Sequence, residues 1–236
     1  MRHLFSLSFL GAIALGAASQ ETIDFNFGWK FFPGQNPGAE AVVLDESEWQ
    51  TVNLPHDFQI SQPWVEPEAG DTGDKSNLMA NIASKLSSRG FKEMGEGWYR
   101  KTFTPDPSWE GKRVLVDFEG IMLVGDVYLN GERIGGTDYG YLGFESDISK
   151  KLKYGEPNVI AVKADTGKPE NSRWYTGGGL YRDVKLKIGD PKQYFTRNSL
   201  YITTSVADAD RSTILVGGEL ANYIKTDSIT VGIEIL

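Results

Sequence analysis

The sequence predicts an all-β protein built as a β-sandwich, and three observations point to that class. Many short segments alternate between bulky apolar and polar residues, which is the periodicity of a strand with one buried face. Residues that form turns, mainly Gly, Pro and Asn, separate these segments. No segment carries a strong, long helical pattern, so sheets must pack on sheets to form the core.

The first residues have the pattern of a secretory signal peptide. Residues 1–3 form a short basic region, residues 4–17 are almost uninterruptedly apolar, and residues 17–19 supply small side chains for cleavage. We therefore expect residues 1–19 to be removed and the mature protein to be secreted or periplasmic. The apolar run is too short for a mature membrane helix and no other run approaches spanning length, so we expect no membrane span.

The alternating segments after the leader define the strands of a first sandwich. Pro33–Gly38 has turn chemistry, and Pro55 interrupts the second segment. Asn130-Gly131 predicts a type I′ hairpin, because both turn residues need a positive φ. The predicted strands are residues 23–31, 51–58, 98–103, 112–119, 125–129, 132–135, 144–148, 159–165 and 182–188.

Residues 59–97 are the least regular stretch, and a long loop inside a compact domain is usually functional or disordered. Trp64 and Arg89 are candidate ligand contacts within it. Within this stretch, Asp71, Asp74 and Asn77 are the residues most similar to a calcium-binding loop. That spacing misses the EF-hand pattern, and the chain has no cysteine for a thiolate site, so we expect no metal and no cofactor.

A second β unit begins after residue 188. Residues 199–204, 213–216 and 228–236 alternate like strands, and the last of them runs to the end of the sequence. Three strands with an open edge make a poor domain. We therefore expect residues 20–188 to form the first domain, residues 189–236 to form an incomplete second one, and the chain to be the front part of a longer polypeptide.

Charge and composition exclude some functions. The net charge is −8 over 236 residues, and phosphate binding needs a basic face, so we expect no nucleic-acid partner. His56-Asp57 holds the one histidine outside the leader. The pair could act as an acid–base group, but it lacks a nucleophile partner, and a buried hydrogen-bonding pair that shapes a corner is the preferred interpretation.

The stretch from Asn171 to Val184 combines aromatic residues, three consecutive glycines and an Arg-Asp pair. Consecutive glycines are costly in entropy and are kept where φ is positive or the backbone approaches closely. Trp174 and Tyr175 can cover an apolar face while offering polar edges, so a flat, hydroxylated ligand could bind here. A glycine-rich turn beside core aromatics explains the same residues equally well.

Five ordered motifs resemble the N-terminal region of glycoside hydrolase family 2, which includes β-galactosidases, β-glucuronidases and β-mannosidases. No single motif is specific to this family, but the five motifs in this order across residues 23–188 are. The motifs are Asn53–Phe58, Gly97–Phe103, Phe118-Glu119-Gly120, Val127–Gly131, and Ser172–Tyr175 followed by Gly179–Val184.

The resemblance implies a fold and indicates which domain carries the catalytic residues. It implies a jelly-roll (galactose-binding-like) β-sandwich, followed by an immunoglobulin-like β-sandwich that is incomplete here. In the family a (β/α)8 barrel carries the two catalytic glutamates, and these 236 residues contain no counterpart of them. We therefore assign no catalytic residue, and expect carbohydrate and the catalytic barrel domain of the full-length enzyme as partners.

The resemblance also implies an accessory site, since the family loop before the Gly-Leu-Tyr-Arg segment reaches toward the active site. Arg173 stands where well-known galactosidases and glucuronidases have a carboxylate. An arginine donates to hydroxyls or pairs with an acidic sugar, but it cannot accept hydrogen bonds. Arg173, Trp174 and Tyr175 are the candidate substrate-binding residues, although Arg173 could equally hold the loop by a salt bridge and Trp174 could equally be a core residue.

The preferred hypothesis is that the chain is the N-terminal fragment of an exported, β-galactosidase-like family 2 enzyme that hydrolyses O-glycosyl bonds in a β-glycoside, oligosaccharide or polysaccharide. The fragment would contribute the sugar-binding domain and part of the substrate pocket. The alternative is a stand-alone, non-catalytic carbohydrate-binding protein, which predicts a completed second domain or a stop after Ile188.

Overall fold

The computed structural model of the chain describes residues 20–65, 91–167, 175–224 and 231. Two single-turn 3-10 helices lie at Gln59–Ser61 and Pro107–Trp109. No helix in these ranges has both the length and the apolar character needed to cross a membrane. The strands are β1 (Glu21–Asp24), β2 (Trp29–Pro33), β3 (Gln50–Val52), β4 (Glu96–Phe103), β5 (Arg113–Phe118), β6 (Val124–Leu129), β7 (Glu132–Thr137), β8 (Phe144–Asp147), β9 (Asn158–Asp165), β10 (Val184–Gly189), β11 (Gln193–Phe195), β12 (Tyr201–Ala207), β13 (Ser212–Gly217) and β14 (Leu220–Asn222).

Two antiparallel sheets form the first sandwich. One has four strands in the order β1-β10-β5-β8, and the other has six in the order β3-β2-β4-β9-β6-β7. Several successive strands alternate between the sheets, as in a jelly roll. The prediction of an all-β, jelly-roll sandwich is confirmed, whereas the predicted domain boundaries stay a prediction.

The core lies between the sheets and is filled from alternate positions. Along β6 and β10 every second residue is buried, because successive side chains of a strand point to opposite faces. Large aromatic residues dominate the centre: Trp29, Phe31, Tyr99 and Phe118 are each at most 4% exposed. The periodicity of the sequence thus predicts which face of these strands is buried.

The expectation of one strand over residues 23–31 is wrong, because the chain changes sheet within that segment. The Asn26 amide donates to Asp24 Oδ1 at 2.9 Å, and Asn26 Oδ1 accepts from the Val184 amide at 2.8 Å. Gly28 then adopts a φ of +71°, which few other residues tolerate. The alternation continues across this bend, because both resulting strands, β1 and β2, contribute side chains to one core.

The hairpin predicted at Asn130-Gly131 is confirmed. Asn130 has φ +52° and Gly131 has φ +87°, and the flanking residues Leu129 and Glu132 pair across β6 and β7. Asn130 Oδ1 also accepts from the Val159 amide at 2.9 Å, so the turn is tied to the next strand of the sheet.

The outer face of the six-stranded sheet is partly covered by the segment between β2 and β3. Ala39 and Trp49 from this segment bury Trp98 of β4. Arg100, 1% exposed, donates to Glu46 Oε1 at 2.7 Å and to the carbonyl oxygens of residues 39 and 41. The buried guanidinium therefore holds a segment that has little strand structure of its own.

The strands predicted after residue 188 are partly confirmed. β12 pairs with β13 and β11 pairs with β14, but residues 228–236 lie outside the described residues except for Val231. Arg197 reaches Asp117 of β5 at 3.3 Å, and the Arg113 guanidinium lies 3.7 Å from the ring centroid of Tyr194. The second unit therefore contacts the outer face of the four-stranded sheet.

Candidate functional site

The predicted site falls at one end of the sandwich, where several strands of both sheets begin or end. In the large sheet, β4 and β6 start and β9 ends there. In the small sheet, β5 ends while β8 and β10 start there. The connecting segments at this end are residues 56–65, 91–95, 119–123, 138–143 and 175–183, which we call the loop end.

Of the three predicted substrate-binding residues, the structure describes Tyr175. Arg173 and Trp174 lie outside the described residues, as do Arg89 and the acidic residues considered for calcium. The Tyr175 ring is 37% exposed at the loop end. The role of all three in substrate binding stays a prediction.

The glycine-rich segment that follows Tyr175 is held by backbone hydrogen bonds on both sides. Leu180 O accepts from the His56 amide at 2.8 Å, and Gly178 O accepts from the Phe58 amide at 3.0 Å. On the other side, Gly179 and Met122 exchange two hydrogen bonds of 2.8 and 2.9 Å. The strand predicted from residue 51 ends at Val52, before Pro55, where the sequence predicts that it stops. Residues 56–58 then form one wall of the glycine-rich segment.

The geometry at each of the three positions explains why the residue is glycine. Gly177 and Gly179 have φ values of +76° and +108°. A Cβ at Gly178 would lie 2.6 Å from Thr166 Cγ2, which is closer than real Cβ contacts allow, and a tight 3.2 Å from the Phe58 ring. Positive φ and close approach, the two alternatives inferred from the sequence, thus both apply.

The Asp57 carboxylate joins the two walls of the segment. Its Oδ1 accepts from the Gln59 amide at 3.0 Å and from the Gly178 amide at 2.8 Å. Its Oδ2 accepts from the Tyr175 hydroxyl at 2.7 Å. Burial, and then this hydrogen bond to Asp57, raise the pKa of the Tyr175 hydroxyl well above its usual value. We call these contacts the Asp57 latch.

His56 faces the core rather than the latch. Its Nδ1 lies 2.8 Å from the Tyr99 hydroxyl, and its ring packs against Phe31 at a centroid distance of 4.8 Å. Burial lowers the pKa of His56 despite the neighbouring Asp57 charge, which raises it. His56 and Asp57 are half-buried rather than buried as expected. Each is hydrogen-bonded to different partners, which fits the interpretation that the pair shapes a corner.

We expect His56 to make the stability of the fold depend on pH. Because the folded pKa lies below the unfolded one, its contribution is full above about pH 6.5 and is lost as the pH falls toward the folded pKa. Urea unfolding should give a lower free energy of unfolding at pH 5.5 than at pH 7.5. The difference between the two pH values should be smaller in His56→Asn. An equal loss in both proteins would contradict the assignment.

We also expect a graded loss of stability when the Asp57 latch is removed. Asp57→Ala leaves two backbone amides and one hydroxyl without their acceptor, at a cost of about 2 kcal/mol. Tyr175→Phe removes only the partly exposed contact and should cost less than about 1 kcal/mol. Urea unfolding at pH 7 measures both, and similar losses for the two variants would show that Asp57 does not organise the segment.

The loop end exposes apolar side chains that the sequence did not single out. Tyr139, Tyr141 and Leu142 are 56%, 41% and 64% exposed. They connect to the glycine-rich segment because the Tyr181 hydroxyl donates to Gly140 O at 2.9 Å. The glycine and aromatic residues of segment 139–144 could have indicated this surface from the sequence. The sequence does not show, however, that this segment lies beside residue 181.

Within the described ranges, no group of three or more His, Asp or Glu side chains is arranged to hold a metal ion. The carboxylate nearest the predicted site, Asp57, already accepts three hydrogen bonds. The arrangement therefore suits positioning and surface contact rather than acid–base chemistry.

Comparison with known sequences gives matches over most of the chain. A family model described as the sugar binding domain of glycosyl hydrolases family 2 matches residues 26–189. A β-galactosidase of Bacteroides ovatus is 32% identical over 225 residues, covering 92% of this chain and 25% of that protein. A putative β-glucuronidase of Formosa agariphila is 32% identical over 202 residues, covering 86% of this chain and 18% of that protein.

Solved structures give the same result. A β-glycosidase from Bacteroides vulgatus superposes with a TM-score of 0.72 at 32% identity, covering 87% of this chain and 25% of that one. A glycosyl hydrolase family 2 member from Bacteroides cellulosilyticus superposes with a TM-score of 0.71 at 36% identity, covering 85% and 24%. The chain thus spans about a quarter, or less, of the length of these relatives.

Proposed function

The chain belongs to glycosyl hydrolase family 2, and we propose that it is the N-terminal part of an exported, β-galactosidase-like enzyme that hydrolyses O-glycosyl bonds. In this proposal residues 20–188 are the sugar-binding domain, and its loop end lines part of the substrate pocket. The proposal is supported by the match to the sugar-binding domain and by relatives that are about four times as long.

The exposed apolar surface of the loop end is the observation that carries the proposal. The described part of residues 20–189 has nine exposed large hydrophobic side chains, and six of them lie at this end. Such a concentration marks a surface that contacts another domain or a ligand. The six are Ile60, Trp64, Tyr139, Tyr141, Leu142 and Tyr175.

The Asp57 latch gives this surface a fixed shape. Asp57 and Tyr175 are 118 positions apart, so their hydrogen bond ties the glycine-rich segment to the opposite wall. Residues 168–174 precede this anchor and include Arg173 and Trp174, which we propose contact the sugar. A preorganised segment loses less entropy on binding than a free loop does.

The hydrolytic step is proposed to take place elsewhere in the enzyme. Retaining hydrolysis needs an acid–base carboxyl and a nucleophilic carboxylate about 5–5.5 Å apart, and inverting hydrolysis needs a wider pair. In the proposal both belong to a barrel domain outside these 236 residues. The residues of this chain bind and orient the sugar without transferring protons.

The test compares the 236-residue chain with a longer product of the same gene. The chain alone should not hydrolyse 4-nitrophenyl β-D-galactoside, whereas the longer product should. Hydrogen exchange at residues 138–143 should be slower in the longer product, because the loop end is covered there. Turnover by the short chain that disappears with Trp174→Ala would overturn the proposal, and an inactive long product that still binds sugar would favour a stand-alone binding protein.

The proposed export is tested by the N-terminal sequence of the protein and by where it is recovered. N-terminal sequencing of protein recovered from the periplasm or the medium should begin at Gln20, as expected if residues 1–19 are a cleaved signal peptide. Intact Met1 on protein retained in the cytoplasm would contradict the proposed export.

A further inference from the structure

Trp64 differs from the other tryptophans that the structure describes. Its side chain is 73% exposed, whereas Trp29, Trp49, Trp98 and Trp109 are at most 8% exposed. An indole left in water forgoes a large gain from burial. Its exposure therefore needs a reason other than packing within the domain.

The backbone around Trp64 is ordered by pairing with the segment that leads into β4. Trp64 forms a β-bridge with Lys92. On either side, the Val65 amide donates to Phe91 O at 2.8 Å and the Glu93 amide donates to Pro63 O at 3.0 Å. The indole thus projects from a short antiparallel ribbon.

Lys92 fixes the ring itself. Its Nζ lies 4.0 Å from the indole centroid and donates to Gln62 O at 2.9 Å. An ammonium group at this distance is attracted by the face of the ring, and the hydrogen bond keeps it there. Trp64 is therefore a supported aromatic platform with most of its surface open to solvent.

A cleft of about 170 Å³ adjoins this platform through Gln62, whose carbonyl oxygen accepts from Lys92. The residues that line it include the polar residues Gln62, Glu93 and Glu96. Glu96 is also 3.8 Å from Lys163 Nζ. The cleft is completed by Pro33, Gly34, Met94 and Gly95.

We propose that Trp64 and this cleft form a carbohydrate subsite that takes a neutral pyranose unit of an oligosaccharide. An aromatic face suits the apolar C–H face of a sugar, while amide and carboxylate oxygens accept hydrogen bonds from its hydroxyls. Lys92 lies over the ring and Lys163 lies 3.8 Å from Glu96, so these two ammonium groups offset the charges of Glu93 and Glu96, and the nearly balanced site suits a neutral sugar. Because Trp64 belongs to the loop end, the subsite deepens the proposed function and rests on it. Its test measures binding by this chain alone, so failure of the subsite and failure of the enzymatic function give different results.

The intrinsic fluorescence of the protein provides the measurement. In a Trp174→Phe background, Trp64 is the tryptophan that acrylamide should reach, since the other four are buried. Cellotetraose and β-1,4-galactotetraose serve as neutral probes, and trigalacturonic acid serves as the acidic probe. We expect at least one neutral probe to protect the fluorescence at up to about 10 mM, as for a single weak subsite.

Variants of the full chain then locate the binding by calorimetry. Trp64→Ala should weaken neutral-sugar binding about tenfold or more, and Trp64→Phe should weaken it less. Phe27→Ala is the matched control, because Phe27 is also an exposed aromatic residue but lies outside the loop end. Unchanged urea midpoints would show that the variants are folded. The proposal is overturned if neither neutral probe protects the fluorescence, if trigalacturonic acid binds more tightly than both neutral probes, or if Phe27→Ala weakens binding as much as Trp64→Ala does.

Discussion

Gly179→Ala should destabilise the sandwich by at least about 3 kcal/mol, which is enough to unfold much of a marginally stable domain. Two causes add. The φ of +108° lies in a region that alanine rarely adopts, and the new Cβ would overlap the hydroxyl oxygen of Tyr99 while lying 3.0 Å from His56 O. Tyr99 is fully buried and hydrogen-bonded to His56, so it cannot swing away.

A matched variant separates the steric cost from the backbone cost. Gly111 also has a positive φ, +80°, but a Cβ there meets nothing within 4 Å. Gly111→Ala should therefore cost about 1 kcal/mol, from conformation alone. Urea unfolding at pH 7 measures both losses, and equal losses would remove the steric argument.

A double variant tests which atom Gly179 must avoid. Tyr99→Phe deletes the overlapping hydroxyl, at the cost of its contact with His56. The loss for Gly179→Ala together with Tyr99→Phe should therefore be smaller than the sum of the single losses. An additive result would mean that the strained φ dominates.

The sequence predicts this fold well where local pattern decides the structure. Alternation gives the buried faces of β6 and β10, and Asn130-Gly131 gives the hairpin, because both signals act over a few residues. It fails over residues 23–31, where one alternating run serves two sheets. Periodicity states which side chains are buried but not which sheet holds the strand, so a change of sheet is invisible to it.

The candidate site is less predictable, because its contacts join distant parts of the chain. Asp57 and Gly178 are 121 positions apart. Three glycines indicate that the backbone is constrained, but they do not identify Asp57 as the side chain that constrains it. Arg173 was inferred from family resemblance, and Trp174 also from its place near the three glycines. The role of both remains a prediction because they lie outside the described residues.

Arg100 is a second case in which the partner is absent from local sequence. The pattern of residues 98–103 predicts the strand and places Arg100 on its outer face with Trp98. It does not predict that the segment around Ala39 and Glu46 folds over that face. Arg100 donates to two carbonyl oxygens of this segment, and so takes the place of the backbone N–H groups that a neighbouring strand would supply.

We therefore expect Arg100→Met to cost about 3 kcal/mol, although methionine fills a similar apolar volume. The change leaves Glu46 without its cation and the carbonyls of Ala39 and Ala41 without a donor. Arg133→Met is the matched control, because its ion pair with Asp126 is 2.8 Å long but the Arg133 side chain is 59% exposed. Its loss should stay below about 1 kcal/mol.

The consequence for structure distinguishes Arg100 from an ordinary buried charge. Loss of its hydrogen bonds should release the segment over Trp98, so hydrogen exchange at residues 39–49 should accelerate while exchange in β5 and β10 stays slow. Urea unfolding measures the free energy, and exchange measures where it is lost. Uniform acceleration across both sheets, or a loss no larger than that of Arg133→Met, would contradict a specific role for Arg100 in holding this segment on the sheet.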